Sequence, residues 1–150
     1  MSRAILFKAK RKDNGEWVEG GYFCEPYTDK EFIIRWNSFG FGCNEFIEIA
    51  PDTLCQYTGL TDKNGQKIWE NDILKGYQYP FLSPEGTENY YAEVVWFTNC
   101  CAFGTYTFKN PKANVRGISE GNTEPMEDWN PEDWEVIGNI FDNSDLLEVE

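Results

Sequence analysis

Ile5, Phe7 and Ala9 alternate with Leu6, Lys8 and Lys10. Asp13-Asn14-Gly15 then interrupts the run, and Trp17-Val18-Glu19-Gly20-Gly21-Tyr22-Phe23 resumes it. A period of two puts successive side chains on opposite faces of a strand, and Asn-Gly supplies the positive φ that a tight reversal needs. The chain therefore opens with an antiparallel hairpin, and the same grammar recurs along its length. Phe32-Ile33-Ile34-Arg35-Trp36 and Phe46-Ile47-Glu48-Ile49 read as strands flanking the glycine-containing stretch 37–42. A second hairpin runs from Thr53 to Leu60, turns through Thr61-Asp62-Lys63-Asn64-Gly65 and returns from Gln66 to Leu74.

Further on, Tyr77 to Tyr79 extends that strand, Pro80 to Glu88 is a loop, and Tyr90 to Phe97 pairs with Phe103 to Phe108 around a turn at Asn99 to Ala102. Asn110 to Pro131 has few apolar positions and is expected to be a long surface loop. Trp134 to Phe141 forms the closing strand, and Asn143 is placed to cap a short helix through Leu146 and Leu147. Almost nothing in the chain has the 3.6-residue period of a helix. The expectation is an all-β fold, with at most that short C-terminal helix, built as a small barrel or roll. The 150 residues include 11 Phe, 8 Tyr and 6 Trp, enough to fill the interior of one domain.

Histidine is absent. Ser-His-Asp and Cys-His hydrolases, histidine-dependent nucleases and histidine-ligated metal sites are thereby excluded together. The five cysteines, Cys24, Cys43, Cys55, Cys100 and Cys101, contain no C-x-x-C pair and are odd in number. They are expected to be small buried or half-buried hydrophobes in a reducing cytoplasm, with Cys100-Cys101 as an exposed exception. Apolar runs are short, and the opening Met1 to Lys8 is too short for a signal-peptide core, so a cytoplasmic protein with no membrane span is expected. Asp62-x-Asn64 suggests a calcium loop, but Lys67 and Ile73 stand where that loop requires Gly and Glu.

The net charge of −13 is uneven: residues 1–75 hold 10 bases and 12 acids (−2), residues 76–150 hold 3 and 14 (−11). The acidic half would repel a phosphate backbone, so nucleic acid is disfavoured except through the basic start at Lys8, Lys10, Arg11 and Lys12. One basic and one acidic end also allow copies of the chain to attract one another. Glu127-Asp128-Trp129 and Glu132-Asp133-Trp134 repeat Glu-Asp-Trp at a spacing of five. Asp128, Trp129, Glu132 and Asp133 are the candidate partner-binding residues, an acidic surface with a tryptophan of the kind that anchors interfaces. The plainer alternative is that Trp134 begins a buried strand, Trp129 covers a barrel end and the acids are solvated. Carboxylate pairs such as Glu70 with Asp72, or Asp128 with Asp133, suit acid/base chemistry, but accidental pairs are expected among 26 acids.

The run QYTGLTDKNGQKIWENDIL, Gln56 to Leu74, resembles the signature of the YopX-like family of phage and prophage proteins. ILFKAKRKDNGEWVEG from Ile5, EVVWF from Glu93, and EVIGNIFDNSDLL from Glu135 to Leu147 are similar to its opening hairpin, central strand and closing segment. Asn71 stands where that family usually has Gly, and Ser144 where a Pro often opens the last helix; Asn tolerates left-handed geometry and Ser suits a first helical turn. The resemblance implies a single domain, with an N-terminal hairpin region at about 1–52 and an SH3-like barrel region at about 53–150, assembled as a homo-oligomer. It implies no catalytic residue, cofactor or metal. Tyr57, Leu60, Ile68, Trp69, Ile73 and Leu74 of the signature are expected to supply core, with the turn fixing their register. The expected function is a non-enzymatic interaction module that contacts itself or a host protein. The alternative is a small nucleic-acid-binding barrel using Lys8, Lys10, Arg11 and Lys12.

Overall fold

The computed structural model describes residues 4–35, 45–77, 89–109, 123–126 and 130–147. Within them the chain is strand and turn: β1 (Phe7–Lys10), β2 (Trp17–Cys24), β3 (Glu31–Arg35), β4 (Glu45–Glu48), β5 (Cys55–Thr61), β6 (Lys67–Trp69), β7 (Asp72–Tyr77), β8 (Asn89–Phe97), β9 (Ala102–Lys109), β10 (Thr123–Pro125) and β11 (Trp134–Asn139). Its helical pieces are 3₁₀ turns at Pro51–Thr53, Pro131–Asp133 and Ser144–Leu147. The strands form two antiparallel sheets, ordered β4-β3-β2-β1-β5-β6 and β10-β9-β8-β7-β11. Residues 1–59 and 60–150 are separate compact units. Among the described residues, no helix is long and apolar enough to cross a membrane.

In the first unit, the expected opening hairpin forms, with Phe7 opposite Gly20, Lys10 opposite Trp17 and Gly15 at φ 74° in the reversal. The alternation sorts its side chains. Ala9, Val18, Ile33, Ile47 and Ile49 form a buried cluster, with Phe7, Tyr22 and Leu54 packed against it. Each fully buried aliphatic side chain of this kind contributes roughly 1.5–3 kcal/mol. At the margin of the cluster the Tyr22 hydroxyl donates to Glu31 Oε1. That bond, and burial after it, push the Tyr22 hydroxyl's pKa up.

In the second unit, Ile68, Leu74, Ala92, Val94 and Trp134 form the core, backed by Leu60, Met126 and Val136. The β5–β6 turn is held by one buried carboxylate. Asp62 Oδ1 accepts from the N–H groups of Asn64 and Gln66, both at 2.9 Å, and its Oδ2 accepts from Val136 N at 3.0 Å. Gly65 takes the left-handed position in this turn at φ 76°. Of the signature residues expected in the core, Ile68, Trp69, Ile73 and Leu74 are buried, and Tyr57 and Leu60 are half-buried.

Five expectations are corrected. Gln66 to Leu74 is not one strand: Asn71 adopts φ 71°, Asp72 Oδ2 accepts from Trp69 N at 2.8 Å, and the chain breaks into β6 and β7, which lie in different sheets. The Asn110 to Pro131 stretch is not all loop, because Thr123–Pro125 pairs with Tyr106–Gly104 as an edge strand, where a proline lacking N–H is tolerated. The Asn143 side chain does not cap the 3₁₀ turn: its Oδ1 accepts from Asn139 N at 3.2 Å, closing the bend before it, and it is the Asn143 backbone carbonyl that accepts from Leu146 N at 2.9 Å. Cys24 is exposed, as are Cys100 and Cys101, while Cys55 is buried. The sheets are not closed into a barrel among the described residues. In the first unit the chain just after β1 meets the chain just after the end strand β4 at an isolated Arg11–Ile49 bridge, reinforced by Lys12 N to Glu48 O and Ala50 N to Lys10 O.

Candidate functional site

Beyond that bridge, β4 and the turn after β1 diverge. The opening is a cleft of about 370 Å³ lined by Arg11, Lys12, Asp13 and the whole of β4, Glu45 to Glu48. The direction in which β4 presents its backbone follows from the register. Ile49 N donates to Glu31 O, so Ile47 opposite Ile33, two residues along, is also a hydrogen-bonded pair. Phe46, opposite Ile34, is then a non-hydrogen-bonded position whose N–H and C=O point away from β3, toward the cleft.

The face of this sheet opposite its core carries an aromatic cluster. Phe23 lies across from Phe32, and Ile34 across from Phe46. Phe46 meets both Phe23 and Phe32 edge-on, with ring centroids 6.4 Å apart and planes at 81° in each pair. This is the favoured aromatic geometry, yet Phe46 is 57% and Phe23 41% exposed. Ion pairs lie at the cleft and the strand ends: Lys12–Glu48 at 3.2 Å is on the aromatic face, with Glu48 opposite Phe32, while Arg35–Glu45 at 2.8 Å and Arg11–Asp13 at 3.0 Å start from positions of the core parity. The Arg11 guanidinium, hydrogen-bonded to Asp13, holds that carboxyl below its ordinary range and is itself raised. In these three pairs each base is matched by an acid, on a chain of net charge −13.

Farther along the same face, the Lys8 and Lys10 ammonium groups lie 4.6 and 5.4 Å from the Trp17 ring centroid. The four basic residues read from the sequence are thus split: Lys8 and Lys10 share an aromatic face, and Arg11 and Lys12 are paired with carboxylates.

Of the candidate partner-binding residues, Asp128 and Trp129 lie outside the described residues. Glu132 and Asp133 are neighbours in the turn Pro131–Asp133, Glu132 exposed and Asp133 half-buried. Asn130 Oδ1 accepts from Glu132 N at 3.2 Å, so this turn has its own cap. Trp134 is buried at the start of β11. Asp72, one half of a considered acid pair, is buried with its carboxylate spent on the Trp69 amide. Among the described residues no group of three or more Cys, Asp or Glu is assembled as a metal site would require.

Phe23, Phe32 and Phe46 do not stand out as a surface in the sequence, because each sits in a strand whose aromatic residues suit an interior. The available signal was β3 itself. Phe32, Ile33 and Ile34 are apolar at both parities, which asks for cover on both faces of the sheet.

A family profile described as YopX protein matches residues 6–148 of the chain. Among solved structures, the chain is similar to the crystal structure of protein EF1440 from Enterococcus faecalis, with 24% identity, coverage of 98% of this chain and 100% of that one, and a TM-score of 0.51. That likeness is one of fold. A search of curated proteins returned no match.

Proposed function

The chain belongs to the YopX family, and from that premise we propose that it is a non-enzymatic protein-interaction module of a phage or prophage, docking a host protein through the outer face of its first sheet. The observation that carries this reading is the Phe23–Phe46–Phe32 cluster. Aromatic rings held edge-on by one another have little rotamer entropy left to lose on binding, and their exposed area is apolar surface that a partner can bury. The Lys12–Glu48 ion pair beside Phe32 on the same face gives the cluster a polar border, as interface cores have. Phe46 also offers an unshared backbone edge to the cleft, the starting point for strand addition. Self-association through the same face is a variant of this reading.

A specific observation favours a second reading. Trp17 flanked by two ammonium groups resembles a stacking platform with phosphate-seeking neighbours. The pairing of Arg11 and Lys12 with carboxylates weakens it.

The two readings part in one experiment. The full chain and its Phe46→Asp variant are used as baits in nuclease-treated host lysate, and both are titrated with a single-stranded oligonucleotide at two salt concentrations. The proposal expects a host protein retained by the wild type and lost with Phe46→Asp, and no oligonucleotide binding. Identical captures by both baits would refute it. A gel shift that weakens steeply with salt and disappears on replacing Lys8 and Lys10 would establish the second reading instead.

A further inference from the structure

The tip of the β8–β9 hairpin carries two adjacent cysteines. Phe97 pairs with Ala102, and the four residues between them, Thr98 to Cys101, make the turn. Cys100 and Cys101 are both exposed free thiols. Cys101 closes the turn at φ 51°, a conformation that Gly or Asn adopts with less strain. Among the described residues the thiols contact their own turn: Cys100 Sγ lies 3.9 Å from Phe97 O, and Cys101 Sγ lies 3.6 Å from Thr98 O. These are long contacts for a weak donor, so neither sulfur is sequestered from solvent.

We propose that Cys100–Cys101 is a reversible thiol-modification site, reacting with low-molecular-weight disulfides such as oxidised glutathione, in which one cysteine takes the modification and its neighbour resolves it. In the first step the thiolate of one cysteine attacks the small disulfide. A new S–S bond forms to the protein, the reagent's S–S bond breaks, and one equivalent of small thiol leaves with a proton from solvent. In the second step the neighbouring thiolate attacks the modified sulfur and expels the second small thiol. In sum, two protein thiols are oxidised to one disulfide, and one small disulfide is reduced to two thiols.

Neighbouring Cα atoms stand about 3.8 Å apart across a trans peptide, below the roughly 4.4–6.8 Å of relaxed disulfides. The closed bond is therefore strained, and strained exposed disulfides are the easily reduced ones. Any thiol in excess reopens it. A solvent-facing thiol beside a resolving thiol is the arrangement of reversible redox cysteines. The same chain supplies its own reference points: Cys24 is exposed with no cysteine adjacent to it in sequence, and Cys55 is buried.

The test uses the full chain and oxidised glutathione as the probe, with peptide mapping by mass spectrometry after the reagent is removed. In the wild type, the adduct at Cys100 or Cys101 should decay to the disulfide-closed pair, and dithiothreitol should restore both thiols. In Cys100→Ser and Cys101→Ser, and at Cys24 of every variant, the adduct should persist at least about ten times longer, because no second thiol is held at high effective concentration. Equal lifetimes in the wild type and the single variants would overturn the resolving role. Labelling of Cys24 with none at the pair in the wild type would overturn the site itself, and this readout needs no variant to fold.

Discussion

Asp62 sits at the centre of the family signature, and its replacement tests whether that signature is architecture. The side chain is 2% exposed, and three backbone N–H groups converge on its two oxygens. Asp62→Ala removes both acceptor oxygens, and with them all three hydrogen bonds, at once. Hydrogen bonds to a charged group contribute about 1.5–3 kcal/mol each. Asn64 and Gln66 lie at the exposed turn, so their N–H groups can turn to water and recover part of the loss, whereas Val136 lies half-buried in β11. A destabilisation of about 3–5 kcal/mol follows, a large share of the ~5–15 kcal/mol that holds a typical domain. Asp62→Asn keeps one oxygen and points an N–H at a donor on the other side. It loses one or two of the bonds, for about 1.5–3 kcal/mol.

Urea unfolding of the three proteins, followed by far-UV circular dichroism and tryptophan fluorescence, measures the order wild type, Asn, Ala. Amide exchange locates the effect. The Val136 N–H should lose protection in both variants, and the turn amides should lose more in Ala than in Asn. An Asp62→Asn variant within about 0.5 kcal/mol of the wild type, the range of an ordinary surface change, would refute this role for Asp62. So would a more stable Asp62→Ala, since a carboxylate whose removal stabilises the fold is kept for something other than the fold.

Asn71→Val should cost about 1–2 kcal/mol by forcing a β-branched residue to φ 71°, with Asn71→Gly close to neutral; the same urea series reads both. At Gly20, an added Cβ would press on the Ile34 carbonyl oxygen and come within 3.0 Å of Ile33 Cγ2. Gly20→Ala should therefore lose about 1–3 kcal/mol, because a strand backbone must shift to make room. Burial raises the pKa of Glu93 in the folded protein. Its ionisation therefore opposes folding: the penalty is absent below the unfolded carboxyl's range, grows as pH rises, and is complete above the raised folded value. Glu93→Gln should be more stable than the wild type at neutral pH and equal to it in acid well below the carboxylate range. Equal midpoints at neutral pH would show that the burial carries no cost.

The opening hairpin was legible because everything needed to specify it is local: the alternation of Phe7 and Ala9, the glycine at φ 74°, and the register Lys10 opposite Trp17. The break at Asn71 was not. Gln66 to Leu74 reads as a strand on β propensity, and its division depends on a buried Asp72 turning its carboxylate to the Trp69 amide. Closure is still less local. Whether a row of strands closes depends on how far strands distant in the row stay together, and here the continuations of β1 and β4 share one bridge between Arg11 and Ile49 before diverging into the cleft.

The candidate surface follows the same logic. An alternation rule assigns one parity of each strand to a core, and it serves well for Ala9, Val18, Ile33 and Ile47. On β3 both parities are apolar. Ile33 is fully buried, while Phe32, opposite Phe23 and two positions from Ile34, belongs to a face whose outermost ring, Phe46, is more than half exposed. Exposed aromatic area of this kind gains nothing from folding alone, so its free-energy return comes only when something covers it. That makes Phe46, which contributes little to its own unit's core, the residue whose replacement should separate binding from stability: Phe46→Asp should leave the urea midpoint nearly unchanged while abolishing partner capture, and a large fall in midpoint would place the ring in the fold instead.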